Sequence, residues 1–358
     1  MTACDVQYEV KYSVRGSSPS VSPATLATVE WGRRLDEISK GKITHILSGP
    51  ECCGDLRRLE PWADTVSVYE DGILVWHGWI TAVEYGFSSV TVEAEDALIW
   101  ARYRALSQSY NANADSSAHF LALWNSAMAP SPIPINVLTY PTGVVEQRKY
   151  ETASHRRALW FILKEMMDSS LDLTVLGNTI HAGAFALGSP INLTSQDFTG
   201  DITIRKDGKL YANQVLAEGA RDTSAQFPEG VISGFGIYPL VQDIVYDESI
   251  QNNASLEALA KSRYEYSSGI VPRVVRAGDA LTLRDGAVSM NSLIPGTIVN
   301  LDTISLCFNQ KQQFKLGNVD VTYGGGVRMV SISLQPVGTY AQLSDITADD
   351  DSTGTAAV

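Results

Sequence analysis

Two adjacent thiols stand in the stretch ECCGDLRRLEPW, residues 51–62, and could hold a metal, form a disulfide or only pack. Neighbouring residues point to opposite faces of a strand, or about 100° apart on a helix, so Cys52 and Cys53 reach one ion only through a special turn. The C-x-x-C spacing of metal and redox pairs is absent. Cys4 and Cys307 bring the total to four cysteines in 358 residues, too few for a disulfide scaffold and suited to a reducing compartment. Free cysteine is among the most buried residue types, so packing at the start of a short helix is the leading reading.

His45, His77, His119, His155 and His181 are widely spread, and no two fall at ligand spacing on one element. Glu93 and Glu95 alternate with apolar residues, which puts both carboxylates on one strand face about 7 Å apart. Such a pair could serve glycoside hydrolysis, but a solvated strand edge is the commoner use. Trp31, Trp62, Trp76, Trp79 and Trp100 crowd the first 105 positions, where they could stack on sugars or fill a small barrel. Gly234-Phe235-Gly236 is half of a dinucleotide fingerprint, with Pro239 where the helix should begin, so a bulge or strand crossing is expected there. Phosphate-loop, HExxH, GxSxG and EF-hand patterns are all absent. No catalytic residue, cofactor or metal is therefore assigned.

These residues need elements to position them. Residues 1–105 alternate with period two, in Val6-Tyr8-Val10-Tyr12, in Val66-Val68 and in Val90-Val92-Ala94. Asp71-Gly72 divides two such runs and accepts the positive φ of a tight hairpin turn. Residues 106–190 change character. Phe120, Leu121, Trp124 and Met128 fall at helical spacing before Pro130, and Leu159, Ile162, Leu163 and Met166 do so in a second helix with Thr152 or Ser154 as N-cap. LDLTVLGNTIHAG then reads as a hairpin around Gly177-Asn178.

Strand signals return from 191 to 340, in LTLRDGAVSM, TIVNLDTISLCF, GNVDVTYGG and RMVSISLQPVG, divided by Gly, Pro and Asp-Gly breaks. A helical insertion at about 248–285 carries Leu256, Leu259, Ala260 and Arg263. The predicted fold class is mainly β with α+β insertions: a first barrel (1–105), a lateral α+β unit (106–190), a second barrel (191–340) and a flexible acidic tail (341–358).

The net charge is −13, with 27 Lys and Arg against 40 Asp and Glu, and no basic run exceeds a pair. A phosphate-gripping protein needs a basic stripe. No signal-peptide pattern opens the chain, and no run of about 18 apolar residues marks a membrane span. Folding in a cytosol is expected.

Residues 31–80 resemble minor tail proteins of siphophages that infect actinobacteria. The resemblance rests on Arg34-Leu35-Asp36 with Ser39, Cys52-Cys53 with Leu56, and Pro61-Trp62. It continues in Val68-Tyr69 through Asp71-Gly72 to Val75-Trp76 and Gly78. Leu293-Ile294-Pro295-Gly296 and the helix-plus-hairpin look like later parts of the same family, and Trp79 departs from it where relatives often carry Pro.

The resemblance implies a baseplate hub, similar to hubs of contractile tails and type VI secretion spikes. Each chain would hold two tube-type barrels, and three chains would form a ring that continues a sixfold tail tube. It would sit at the tail tip of the virion, assembled in the host cytoplasm, with the distal tail protein or tube above and tip or fibre proteins below. The tape measure protein would occupy the lumen, and DNA would pass without specific binding. Three chains at −13 each carry −39, which suits a channel that DNA slides through. A distal tail protein in a sixfold ring, or a cell-wall glycan hydrolase or carbohydrate binder of the tip, are the alternatives.

Overall fold

The computed structural model describes residues 8–14, 26–47, 54, 56–152, 158–167, 171–184, 187–200, 203–206, 211–220, 223–228, 239–247, 250, 253–268, 272–275, 281–304 and 309–336. All four cysteines, His155, Ser154, Gly234-Phe235-Gly236 and the 341–358 tail lie outside these residues.

Six strands open the chain: β1 (Tyr8–Ser13), β2 (Leu26–Arg34), β3 (Lys40–Ile46), β4 (Thr65–Glu70), β5 (Ile73–Tyr85) and β6 (Ser89–Glu95). A short helix α1 (Ile99–Tyr103) leads to β7 (Tyr110–Asp115), α2 (Ser116–Met128), β8 (Asn136–Tyr140), β9 (Val145–Tyr150) and α3 (Leu159–Met167). The hairpin β10 (Asp172–Leu176) and β11 (Thr179–Gly183) follows, then β12 (Ile191–Thr194), β13 (Thr203–Lys206), β14 (Gln214–Gly219), β15 (Ser224–Phe227) and β16 (Gln242–Asp247). The last elements are α4 (Asn253–Ser267), β17 (Pro272–Val275), β18 (Leu281–Leu283), β19 (Ile298–Ile304), β20 (Asn309–Gly324) and β21 (Val327–Pro336).

Local signals placed several of these. Asp71 (φ 49°) and Gly72 (φ 79°) form the two-residue turn between β4 and β5, with Glu70 opposite Ile73. Gly177 (φ 56°) and Asn178 turn β10 into β11, with Leu176 opposite Thr179. Asp115 caps α2 by accepting from the Ser117 N–H at 2.9 Å. The expected cap of α3 is corrected: the helix begins at Leu159, well past Thr152. The Leu159 N–H instead donates to the Arg104 carbonyl at 2.7 Å, so tertiary contact supplies what a local cap would have.

Strands from both ends of the chain meet in one eleven-stranded sheet, in the order β1-β4-β5-β6-β3-β2-β20-β19-β12, with β21 beside β20 and β18 beside β21. Strands expected in two separate barrels thus lie in one sheet. β20 makes the joint: its sixteen residues pair with β19 through Asn309–Lys315 and with β2 through Asn318–Gly324. Gly317, with which the expected piece GNVDVTYGG begins, lies inside the longer β20 where its register with β21 shifts. A Cβ there would come within 2.9 Å of Ser333 Oγ, so glycine lets two strands close at the bend.

One apolar core runs under this sheet, from Val10 and Tyr12 through Trp31, Ile43 and Trp76 to Phe314, Val319 and Ile332. A second core, with Phe120, Trp124, Leu159, Leu163, Leu173 and Ile180, belongs to the lateral unit of α1–α3 and β7–β11. A third, smaller core packs α4 (Leu256, Leu259, Ala260) on the sheet β15-β14-β16 through Val215 and Ala217. β13 and β17 form a separate two-stranded ribbon.

Candidate functional site

The residues of the quoted motif converge where the large sheet meets the lateral unit. Leu35 continues β2 by donating its N–H to Gly317 O (2.9 Å) and forms a bridge with Thr174 of β10. Asp36, 1% exposed and held at φ 62°, donates its N–H to Leu173 O at 2.7 Å and accepts the Leu173 N–H on Oδ1 at 2.6 Å. Asn and Asp tolerate this left-handed conformation better than other side-chain-bearing residues. Thr174 Oγ1 donates to Arg34 O (2.8 Å), and Lys315 of β20 pairs with Asp172. The lateral hairpin is therefore hydrogen-bonded onto both halves of the sheet.

Ser39 and Trp76 secure the other side of this joint. Asp96, buried just after β6, accepts from Ser39 N (2.7 Å), Ser39 Oγ (2.6 Å) and Leu98 N (2.9 Å). Burial pushes its carboxyl up to about 6 against those hydrogen bonds. Trp76 Nε1 donates to Ser39 Oγ at 3.0 Å, and the Trp76 ring lies over two glycines. A Cβ on Gly41 would sit 2.6 Å from that ring, and one on Gly78 would sit 2.4 Å from it and 2.7 Å from Glu95 O. The Trp-x-Gly spacing of the motif is thus a packing requirement.

The tryptophans divide accordingly. Trp31 and Trp76 lie in the sheet's core, whereas Trp79 belongs to the lateral unit's core and meets Trp100 edge-on at 6.1 Å. Trp62, at φ 68°, donates its N–H to Ile80 O (2.8 Å) and packs on Trp100 (5.5 Å) and Tyr103 (4.7 Å). These rings meet edge to face, with Trp79 buried and Trp62 and Tyr103 reaching the surface.

The described histidines each bond to a hydroxyl and lie apart. His45 meets Tyr12 (2.7 Å), His77 meets Ser67 (2.9 Å), His119 meets Tyr110 (2.6 Å) and His181 meets Tyr140 (3.0 Å). Burial lowers His77 to about 4. Among the described residues, no three of His, Cys, Asp and Glu gather as metal ligands. Glu93 and Glu95 do share a face of β6, opposite Lys42 and Lys40 of β3. A cleft of about 380 Å³ runs over this face, bordered also by Glu30, Arg34 and Asp320. Arg34 pairs with Asp320 at 2.5 Å, so opposite charges alternate across the strands.

Two buried arginines, which sequence reasoning missed, tie distant segments together. Arg33 spans the sheet, donating to Val75 O (3.0 Å), Met290 O (3.1 Å) and Leu293 O (2.9 Å). Burial lowers it to about 10, opposed by the charge of Glu70, so it stays cationic at neutral pH. Arg148, fully buried on β9, meets Glu146 Oε1 at 2.5 Å and Tyr150 OH at 3.0 Å, with Asp247 of β16 at 3.9 Å. Burial pushes its pKa down, but Tyr150, Glu146 and Asp247 outweigh that and raise it. The strand VEQRKY that holds Arg148 was not singled out from the sequence, and nothing local shows that its basic residue faces inward.

The fold is thus one sheet assembled from both chain ends with an α+β unit docked on its side. No protein-family model matches the sequence, and no curated protein does. Solved structures do match. The prophage MuSo2 tail protein of Shewanella oneidensis is similar with a TM-score of 0.63 at 11% identity, over 92% of this chain and 98% of that one. The tail protein of Neisseria meningitidis MC58 gives 0.64 at 16% identity, over 93% and 98%. A type VI secretion component of E. coli, described as structurally similar to the T4 tail proteins gp27 and gp5, gives 0.52 at 10% identity, over 91% and 76%. The chain has the fold of phage tail and type VI spike proteins.

Proposed function

We propose that this chain is a structural hub of a phage tail tip, with no enzymatic role. The observation that carries the reading is the extent of the likeness: nearly the whole chain corresponds to nearly the whole of two tail proteins, one of them from a prophage. The sequence resemblance to minor tail proteins of actinobacterial siphophages adds the position in a long non-contractile tail. Three copies form the ring. Each contributes two tube-type sheets, the β1–β6 half and the β18–β21 half, so the ring presents pseudo-sixfold symmetry to the tube above and threefold symmetry to tip proteins below. The lumen encloses the end of the tape measure protein and later conducts DNA.

Self-paired charges support the non-enzymatic reading. Glu93 and Glu95, the carboxylates best placed for acid-base work, face Lys42 and Lys40 across the strands. Such a face is well hydrated and neither sign dominates it, so a passing polyanion finds no basic stripe to hold it. The test is antibody labelling of intact virions against this chain. Label at the tail tip is expected; label along the tube or on the capsid contradicts the assignment.

A further inference from the structure

We infer that the seam between the large sheet and the lateral unit is a carbohydrate-binding site, which takes a glycan chain of a bacterial surface between the Trp62 and Tyr103 rings and the cleft over β2, β3 and β6. The choice of a bacterial surface rests on the tail-tip reading above; the chemistry of the site does not.

The backbone at Trp62 is strained. A bulky residue at φ 68° holds an unfavourable conformation, and such strain persists only where the surroundings fix it. Here they do. The Trp62 N–H donates to Ile80 O (2.8 Å), the Ile80 N–H to Asp64 O (3.0 Å) and the Glu60 N–H to Oδ2 of the buried Asp64 (2.8 Å). What this locked turn achieves is display. Trp62 stays 38% exposed, and Tyr103, whose ring it meets at 4.7 Å, is 65% exposed. Two rings held at the surface in a fixed edge-to-face pair suit the apolar C–H face of a sugar.

A polar half adjoins them. The short helix α1 carries Arg102 and Tyr103 in succession, and Arg102 Nη1 lies 3.9 Å from Glu95 Oε2 in the wall of the cleft. Charges inside the cleft are balanced: Lys42 stands between Glu30 and Glu93, Lys40 stands opposite Glu95, and Arg34 pairs with Asp320. A highly charged ligand of either sign gains little from such a lining, whereas a hydroxyl, both donor and acceptor, bonds to either kind of group. One donor, Arg34 Nη1, and one acceptor, Glu95 Oε2, have no hydrogen-bond partner among the described residues. Apolar rings beside a balanced polar cleft thus match an uncharged chain of hydroxyl-bearing rings.

The test applies the purified full chain to a microarray of bacterial-surface polysaccharides and peptidoglycan fragments. A glycan retained there is titrated by calorimetry against the parent, Tyr103→Ala and Trp62→Gly. The parent should bind, and each variant should bind about tenfold more weakly or worse. Tyr103 is mostly exposed and glycine takes a positive φ freely, so both variants should keep the parent's denaturation midpoint. Retention of no glycan, or an affinity unchanged in either folded variant, overturns the site. A protein occupant is tested in virions carrying the photo-crosslinker p-benzoylphenylalanine at Tyr103. No crosslink to a polypeptide is expected; one to a second copy or to another tail protein would make the seam a protein interface and overturn the proposal. Labelling of the tail tip decides the hub reading separately, so either can fail alone.

Discussion

Asp36 and Leu173, 137 positions apart, exchange two hydrogen bonds: the Asp36 N–H reaches Leu173 O at 2.7 Å, and Asp36 Oδ1 takes the Leu173 N–H at 2.6 Å. A side chain here completes a pairing that backbone alone would make in a sheet. It fixes the lateral unit at the point where β2 ends, and the left-handed backbone of Asp36 aims the carboxylate there.

Asp36→Ala should cost about 1–3 kcal/mol, because it leaves the buried Leu173 N–H without its acceptor and puts a Cβ residue with no polar group at positive φ. Hydrogen exchange at Leu173 should rise by more than exchange in β5 or β6. Equal increases throughout the chain would show that the contact has no local role.

Gly78→Ala should destabilise by about 2 kcal/mol or more, since its Cβ overlaps both the Trp76 ring and Glu95 O. Chemical denaturation measures this directly, and Trp76→Phe in the same chain should return part of the loss by vacating the space that the indole fills. An alanine variant as stable as the parent would remove the packing account of the Trp-x-Gly spacing.

Glu146→Ala should cost about 3–5 kcal/mol by leaving Arg148 buried without its closest carboxylate, whereas Glu146→Ala with Arg148→Met should cost less than the single change. Thermal unfolding of the three proteins decides it. A double variant less stable than the single one would mean that Arg148 is held chiefly by Asp247 and Tyr150.

Asp96 and His77 give opposing pH slopes. The folded pKa of Asp96 is raised to about 6, so its stabilising contribution is full below about 4 and is lost as pH rises through 6. His77 is lowered to about 4, so the stability that it contributes is present above its unfolded value near 6.5 and is lost as pH falls toward 4. Stability of the parent between pH 4 and 6 should therefore be flatter than in either single variant. Asp96→Asn should gain stability relative to the parent as pH rises from 4 to 6, and His77→Gln should gain it as pH falls. Denaturant midpoints across that range provide the check, and parallel profiles would contradict both assignments.

What was legible in the sequence was local. Asp71-Gly72 and Gly177-Asn178 announced their turns because the required positive φ is a property of the residues themselves. Phe120, Trp124, Leu159 and Leu163 announced their helices by spacing, and all are buried. The pairing of β2 with β20 carries no local sign: Trp31 opposes Val321 only in the folded sheet. Thr152 misled as a cap because a carbonyl from Arg104 does that work. GNVDVTYGG read as a piece of its own, whereas β20 starts earlier, at Asn309, because Gly317 permits a bend inside one longer strand. The motif residues around Arg34, Asp36 and Ser39 pointed to a family before their physical task, joining two units, could be seen.

The symmetry of the density around this chain in an intact tail tip separates a threefold hub from a sixfold ring. A map reconstructed without imposed symmetry should show three copies, each contributing two sheet segments to one ring around an open lumen. Six copies in a ring, with one sheet segment from each, would contradict the account and favour a distal tail protein.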